Sequence, residues 1–270
     1  MPRLTSVATL ADATITVRDL MEGEGHHLEP QMAAAEGYRY LLDRGFDAAP
    51  LAAERVTRYV TMEDLCGKSG SVMDHSLPLD TRVLATERVS AFAAVELLKG
   101  APFFFVLEGT RVIGIVTRAE LQKEPISLLL LGFILSAERA INAVVRMRFG
   151  DDVWLGLLSD RSRGKVEEVF EDRRRNNVAI SRLECLMLHD RLAIIGKQRE
   201  LREELGYGSR KDWELWVRAL RSARDGLAHG GDLLGVRQDP LEAIQLFIGA
   251  RDFANRLWHL AESMSLPHSA

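Results

Sequence analysis

Arg224, Asp225 and His229 stand near the end of the stretch Ser209 to Leu234, SRKDWELWVRALRSARDGLAHGGDLL. A guanidinium holds oxyanions through charge-assisted hydrogen bonds. An imidazole, with an ordinary pKa of about 6.5, takes and gives protons near neutral pH. The element that carries them reads as a helix. Trp213, Val217, Leu220 and Leu227 recur at helical spacing, with Trp216 and Ala223 beside them, and charged residues fill the remaining positions. Gly230 and Gly231 then close the pattern, as a C-terminal stop signal does. Arg224 follows Val217 and Leu220 on the expected apolar stripe. There a guanidinium is paired, or it serves a partner chain or a ligand. Five residues on a straight helix place Arg224 and His229 about 140° apart. They converge only if the helix breaks at Gly226 or Gly230, or if two copies of the helix face each other. Spacing by itself favours a core helix with a half-buried Arg and a capping His.

The run Arg224-Asp225-Gly226-Leu227-Ala228-His229-Gly230 resembles the Arg-polar-x-x-x-His motif of HEPN domains, with Asp225 where that family usually has Asn. The resemblance implies a small helical bundle and a metal-independent ribonuclease. RNA would supply its own nucleophile, the 2′-hydroxyl. His229 would act as general acid or base, Arg224 would stabilise the charge on the phosphate in the transition state, and Asp225 would orient one of them. The resemblance also implies a homodimer with a composite site, and a toxic activity of the kind used in stress or phage defence.

The chain has 270 residues, enough for two domains with cores of their own. Apolar residues make up 47%, charged residues 27%, and the formal net charge is −4, so overall charge points to neither a general nucleic-acid binder nor a membrane binder. Residues 1–121 carry twelve Lys/Arg against seventeen Asp/Glu, and residues 122–270 carry twenty-three against twenty-two. An anionic partner is therefore better sought in the second half. Cys66 and Cys185 lie far apart and suggest neither a metal site nor a disulfide framework. With no secretory pattern at the start, a reducing cytoplasm is the expected location. The most apolar run, Ile126 to Leu135, is about half the roughly 20 residues a bilayer needs, so no membrane partner is expected.

Residues 16–121 read as one unit written twice at an offset of 56 positions. Leu28, Ala35, Leu41, Leu42, Arg55, Val56, Val60, Thr61 and Leu65 recur as Leu84, Ala91, Leu97, Leu98, Arg111, Val112, Val116, Thr117 and Leu121. Each copy gives a helix pattern, an apolar strand, a tight turn, a second strand and the opening of another helix, an α/β arrangement. Val17-Arg18-Asp19-Leu20-Met21, Val60-Thr61-Met62-Glu63-Asp64-Leu65 and Val116-Thr117-Arg118-Ala119-Glu120-Leu121 resemble tandem CBS domains, with two βαββα-type repeats at about 16–66 and 71–122. That resemblance implies a sensor of an adenine nucleotide or adenosyl compound (AMP- or ATP-like). Thr61 and Thr117 would then donate to phosphate at a helix N-terminus. Asp64 and Glu120 would accept the ribose hydroxyls. Arg58 stands where a Gly is common and would add a phosphate contact or fill the cleft. The same residues also suit plain helix capping.

After Pro125 the strand signals stop, giving an α/β regulatory domain over 1–124 and an all-α bundle over 125–270. Helix patterns cover Ile126 to Phe149, Ile180 to Leu205, Ser209 to Leu234 and Leu241 to Met264. Lys165 to Arg175 is a solvated helix or linker. Gly67 to Ser71 reads as the linker between repeats, and His26 and His27 as exposed loop residues. The short link Gln122-Lys123-Glu124-Pro125 leaves little independent motion. Two functions fit: an adenine-nucleotide-regulated endoribonuclease working through Arg224 and His229, or a non-catalytic nucleotide-sensing adaptor whose helices dimerise or bind protein.

Overall fold

The computed structural model describes residues 13–23, 26–53, 56–150 and 152–265. It divides into two compact units. One runs to Ser127 and takes in Arg237–Ile244; the other comprises Leu128–Val236 and the chain from Gln245 onward.

The repeat in the sequence is a repeat in space. The first copy holds α1 (Val17–Leu20), α2 (Ala34–Arg44), β1 (Ala48–Pro50), β2 (Arg58–Thr61) and α3 (Met62–Leu65). After the linker strand β3 (Leu77–Pro78), the second holds β4 (Leu84–Thr86), α4 (Ala91–Gly100), β5 (Phe103–Glu108) and β6 (Arg111–Thr117), and ends in a 3₁₀ turn over Arg118–Gln122 where a helix start was expected. The sheets run β1-β2-β3 and β4-β5-β6. In the second sheet β4 pairs parallel with β5, and β5 antiparallel with β6. The strand that would match β4 in the first copy shrinks to a single parallel bridge, Leu28 to Leu51, and β3 completes that sheet instead.

The two copies exchange their leading segments. Thr16, ahead of α1, bridges Ser90 at the start of α4, while Ser71, at the head of the second copy, bridges Ala33 at the start of α2. The core follows that exchange. Val72 is buried with Leu28, Leu41, Val60 and Leu65 of the first copy, and Ala48 joins Phe103, Phe105 and Ile115 of the second. Gly114 makes a close approach possible here: a Cβ on it would lie 2.6 Å from the Glu22 carbonyl oxygen, and Glu22 bridges Ile115.

The second unit is helical: α5 (Glu124–Phe149, from Leu128 on), α6 (Asp160–Arg175), α7 (Leu188–Lys197), α8 (Arg199–Glu204), α9 (Arg210–Ala228), α10 (Leu233–Val236) and α11 (Pro240–Ser265, from Gln245 on). The helix expected over Ile180 to Leu205 is broken. It becomes a 3₁₀ turn at Arg182–Cys185, then α7 and α8, with extended backbone at Leu186, Met187 and Gln198. α5 is long and apolar enough to cross a membrane by length and composition, yet 61% of its apolar window is buried, as in a core helix. Trp258 of α11 donates to Ser136 of α5 (3.0 Å), and Phe253 packs against Tyr207, Trp213 and Trp216 with ring centroids 5.7–6.2 Å apart.

Candidate functional sites

The Thr and carboxylate pairs of the α/β unit form caps. Thr61 Oγ1 accepts from the Asp64 backbone N–H (3.1 Å), and the Asp64 carboxylate accepts from the Thr61 hydroxyl and backbone N–H (2.7 and 3.0 Å). Thr117 accepts from Ala119 N–H (3.1 Å), and its own N–H donates to the Glu120 carboxylate. The same box recurs at Thr16 with Asp19, Ser71 with Asp74 and Ser181 with Glu184, so the motif's first role here is to start a turn of helix. Arg58 is tied down as well, donating through Nε and Nη2 to the hydroxyl and carbonyl of Ser76.

Glu120 is 6% exposed, and burial pushes its carboxyl above the ordinary range against the opposing Thr117 hydrogen bonds and Lys123. The folded state therefore holds this proton longer than the unfolded chain does. Stability falls as pH rises from about 4.3, the ordinary Glu value, through the raised folded one, and levels off above it. Glu120→Gln is expected to flatten that part of the stability–pH curve in denaturant titrations. An unchanged slope would refute the assignment.

A cleft in this unit draws on both repeats. Gly23, His26 and His27 stand on one side, Ala48 and Pro50 of β1 on another, and Phe105 and the strand Val112–Ile115 close it. Its free volume is about 30 Å³, room for about one water. His26 packs on Phe46 with ring centroids 4.4 Å apart. Arg58, Thr61, Asp64, Thr117 and Glu120 lie outside its lining. The sequence treated His26 and His27 as mere loop residues, because only the folded crossing brings them to β1 and β6.

In the helical unit, α9 ends as its glycines foretold. Gly230 takes the left-handed conformation (φ 81°), Gly231 N–H bonds to the Gly226 carbonyl and Gly230 N–H to that of Leu227. His229 caps this end, its Nδ1 lying 2.7 Å from the Asp225 carbonyl oxygen. Arg224 is not on the buried stripe; its side chain is 40% exposed and lies 3.3 Å from the Asp225 carboxylate. The stripe actually runs Trp213, Trp216, Leu220, Ala223 and Leu227, and Arg224 lies about 100° around from Ala223 on the flank shared with Val217 and Arg221.

That flank opens two depressions. In the first, of about 370 Å³, Arg224, Asp225 and Arg221 face His189 and the buried Arg191. His189 Nε2 lies 3.1 Å from the Asp190 carboxylate. His229 does not line this depression, so one chain does not bring Arg224 and His229 into one cleft. The second, of about 840 Å³, is a groove between α7 and α9 rich in cationic side chains. Gly196 lets the two helices close at its base, since a Cβ there would collide with the Trp213 indole.

No family model and no curated protein matches the chain. Solved structures similar to it are CBS-domain pairs aligned with its N-terminal part. CBSX2 in complex with AMP shares 18% identity, covering 39% of this chain and 92% of that one, with a TM-score of 0.35. The CBS domain of a bacterial CNNM/CorC family Mg2+ transporter in complex with ATP shares 16%, covering 45% and 92%, with a TM-score of 0.36. A CBS domain pair in complex with 5-methylthioadenosine and S-adenosyl-L-methionine shares 15%, covering 39% and 91%, with a TM-score of 0.35.

Proposed function

We propose that the protein senses an adenine nucleotide or adenosyl compound through its α/β unit and answers through its helical unit as an RNA-cleaving effector. The observation that carries the first part is the exchange of leading segments, which builds one cleft from both repeats. Its chemistry suits an adenine ring: apolar walls at Phe105 and Ile115, and the His26 and His27 imidazoles at the mouth. With only about 30 Å³ free, the ligand enters by displacing the His26–His27 side. Phosphates then reach toward Thr61 or Thr117, and the ribose toward Asp64 or Glu120, at the expense of cap hydrogen bonds.

The second part follows the Arg224-Asp225-x-x-x-His229 resemblance. Because His229 lies outside the cleft holding Arg224 and Asp225, this reading requires two copies of α9 to face each other, so that one copy's His229 serves the other's Arg224. The same observation favours the alternative, an adaptor in which His229 only caps its helix. Two measurements test the proposal. Calorimetry with AMP, ATP and S-adenosylmethionine should show binding to the full chain. RNA incubated with the protein in EDTA should be cut by the wild type and spared by Arg224→Ala and His229→Ala. Cleavage equal in both variants sinks the ribonuclease, and no heat with any adenosyl compound sinks the sensor.

A further inference from the structure

We infer that the groove between α7 and α9 seats a single strand of RNA by its phosphates. Both walls are continuous helix faces. α7 contributes His189, Leu192, Ala193, Gly196 and Lys197, and α9 contributes Arg210, Trp213, Glu214, Val217, Arg218 and Arg221. With Arg199 and Arg202 of α8, the groove carries six Lys/Arg side chains against one carboxylate, Glu214, which Arg210 already holds at 2.9 Å. Arg199 is paired with Glu203, and Lys197 donates to the Leu157 carbonyl. Among the described residues, Arg218 and Arg221 have neither an ion-pair nor a hydrogen-bond partner, while Arg202 donates through Nη1 to the Gly196 carbonyl (2.6 Å) and keeps a buried Nε without an acceptor. Uncompensated cations in a concave site of this kind concentrate an anionic ligand.

The occupant follows from what the groove lacks. Trp213 is only 4% exposed, so no aromatic face is offered for bases to stack on. Leu192 and Trp213 are buried beneath the groove and only Ala193, Gly196 and Val217 reach its floor, so no large apolar side chain is exposed to meet the anchors that dominate protein interfaces. A backbone read by charge alone fits both facts. Arg210, Arg218 and Arg221 line the groove along about 17 Å of α9, long enough for several phosphates of one strand. Arg221 and His189 line both the groove and the cleft holding Arg224, so a strand in the groove leads to Arg224. The choice of RNA over another phosphate polymer rests on the ribonuclease reading; the groove and its charge do not.

The test is fluorescence anisotropy of a short labelled single-stranded 2′-O-methyl RNA, which lacks the nucleophilic hydroxyl and stays whole, with the full chain over a salt series, while a parallel incubation of the unmodified strand reads cleavage. The double variant Arg218→Gln/Arg221→Gln, both at exposed positions, should weaken binding and lower the log–log salt slope by about 0.7 for each phosphate no longer neutralised. RNA bound through the groove but left intact by the wild type supports the groove and removes the ribonuclease reading. Binding unchanged in the double variant overturns the inference. So does polyglutamate displacing the RNA at equal charge concentration, which would assign the groove to an acidic protein.

Discussion

Arg191→Met is expected to destabilise the helical unit by about 3–5 kcal/mol, the cost of leaving one member of a buried ion pair alone. The Arg191 side chain is 8% exposed and that of Glu138 17%. Arg191 Nη1 lies 3.2 Å from the Glu138 carboxylate, its Nε donates to Asn142 at 2.9 Å, and its Nη2 reaches the Glu184 carbonyl at 3.4 Å. Burial lowers the guanidinium's pKa, with Glu138 foremost among the groups that oppose it. Removing the cation strands the Glu138 carboxylate in that setting. Adding Glu138→Gln to the variant should recover much of the loss, because no unpaired charge then remains. Urea unfolding followed by Trp fluorescence reads both. A loss of only about 1 kcal/mol or less, as for exposed pairs, would mean water solvates the site. The outcome also bears on function, since Glu138 and Arg191 form the base of the cleft that Arg224 and His189 face.

Phe105→Ala should cost the α/β unit about 3–5 kcal/mol. Phe105 is fully buried, with ring centroids 5.5 Å from Tyr59 and 5.4 Å from Phe103, and its backbone sits between Leu84 of β4 and Ile115 of β6. Tyr59 belongs to the first repeat and Phe103 to the second, so the cavity would open at the joint between the copies. The same ring walls the proposed nucleotide cleft. On the proposed function an adenosyl ligand should raise the melting temperature of the wild type, and the variant should lose that rise. Phe105→Leu, which keeps most of the volume, should retain both. An Ala variant as stable as the wild type would show that the two sheets do not share this core.

Much of the architecture was legible because it is written in local periodicity. The offset that carries Thr61 to Thr117 carries β2 to β6 and α2 to α4. The glycine pair after Ala228 ended α9 where the pattern said, and α5 runs through the stretch read as one long helix. The caps at Thr61 and Thr117 were also within reach of the sequence, because a Ser/Thr with a carboxylate three residues on closes its hydrogen bonds inside four residues.

Tertiary packing decided the rest. Which repeat receives Thr16 and Ser71 depends on the partners at Ser90 and Ala33, many residues away, and no local pattern carries that choice. The position of Arg224 turned on a single step around the helix. Trp213, Trp216, Leu220, Ala223 and Leu227 claimed the buried face, because the aromatic cluster with Tyr207 and Phe253 selects the stripe holding both tryptophans. That rotation moved Val217, Arg221 and Arg224 to the open flank. The charge of residues 122–270 nearly cancels in the sequence, and only the docking of α7 on α9 gathers six of its cations around one groove. Local spacing thus determined the elements and their caps. The competition among apolar faces for one core determined which polar residues were left to meet a ligand.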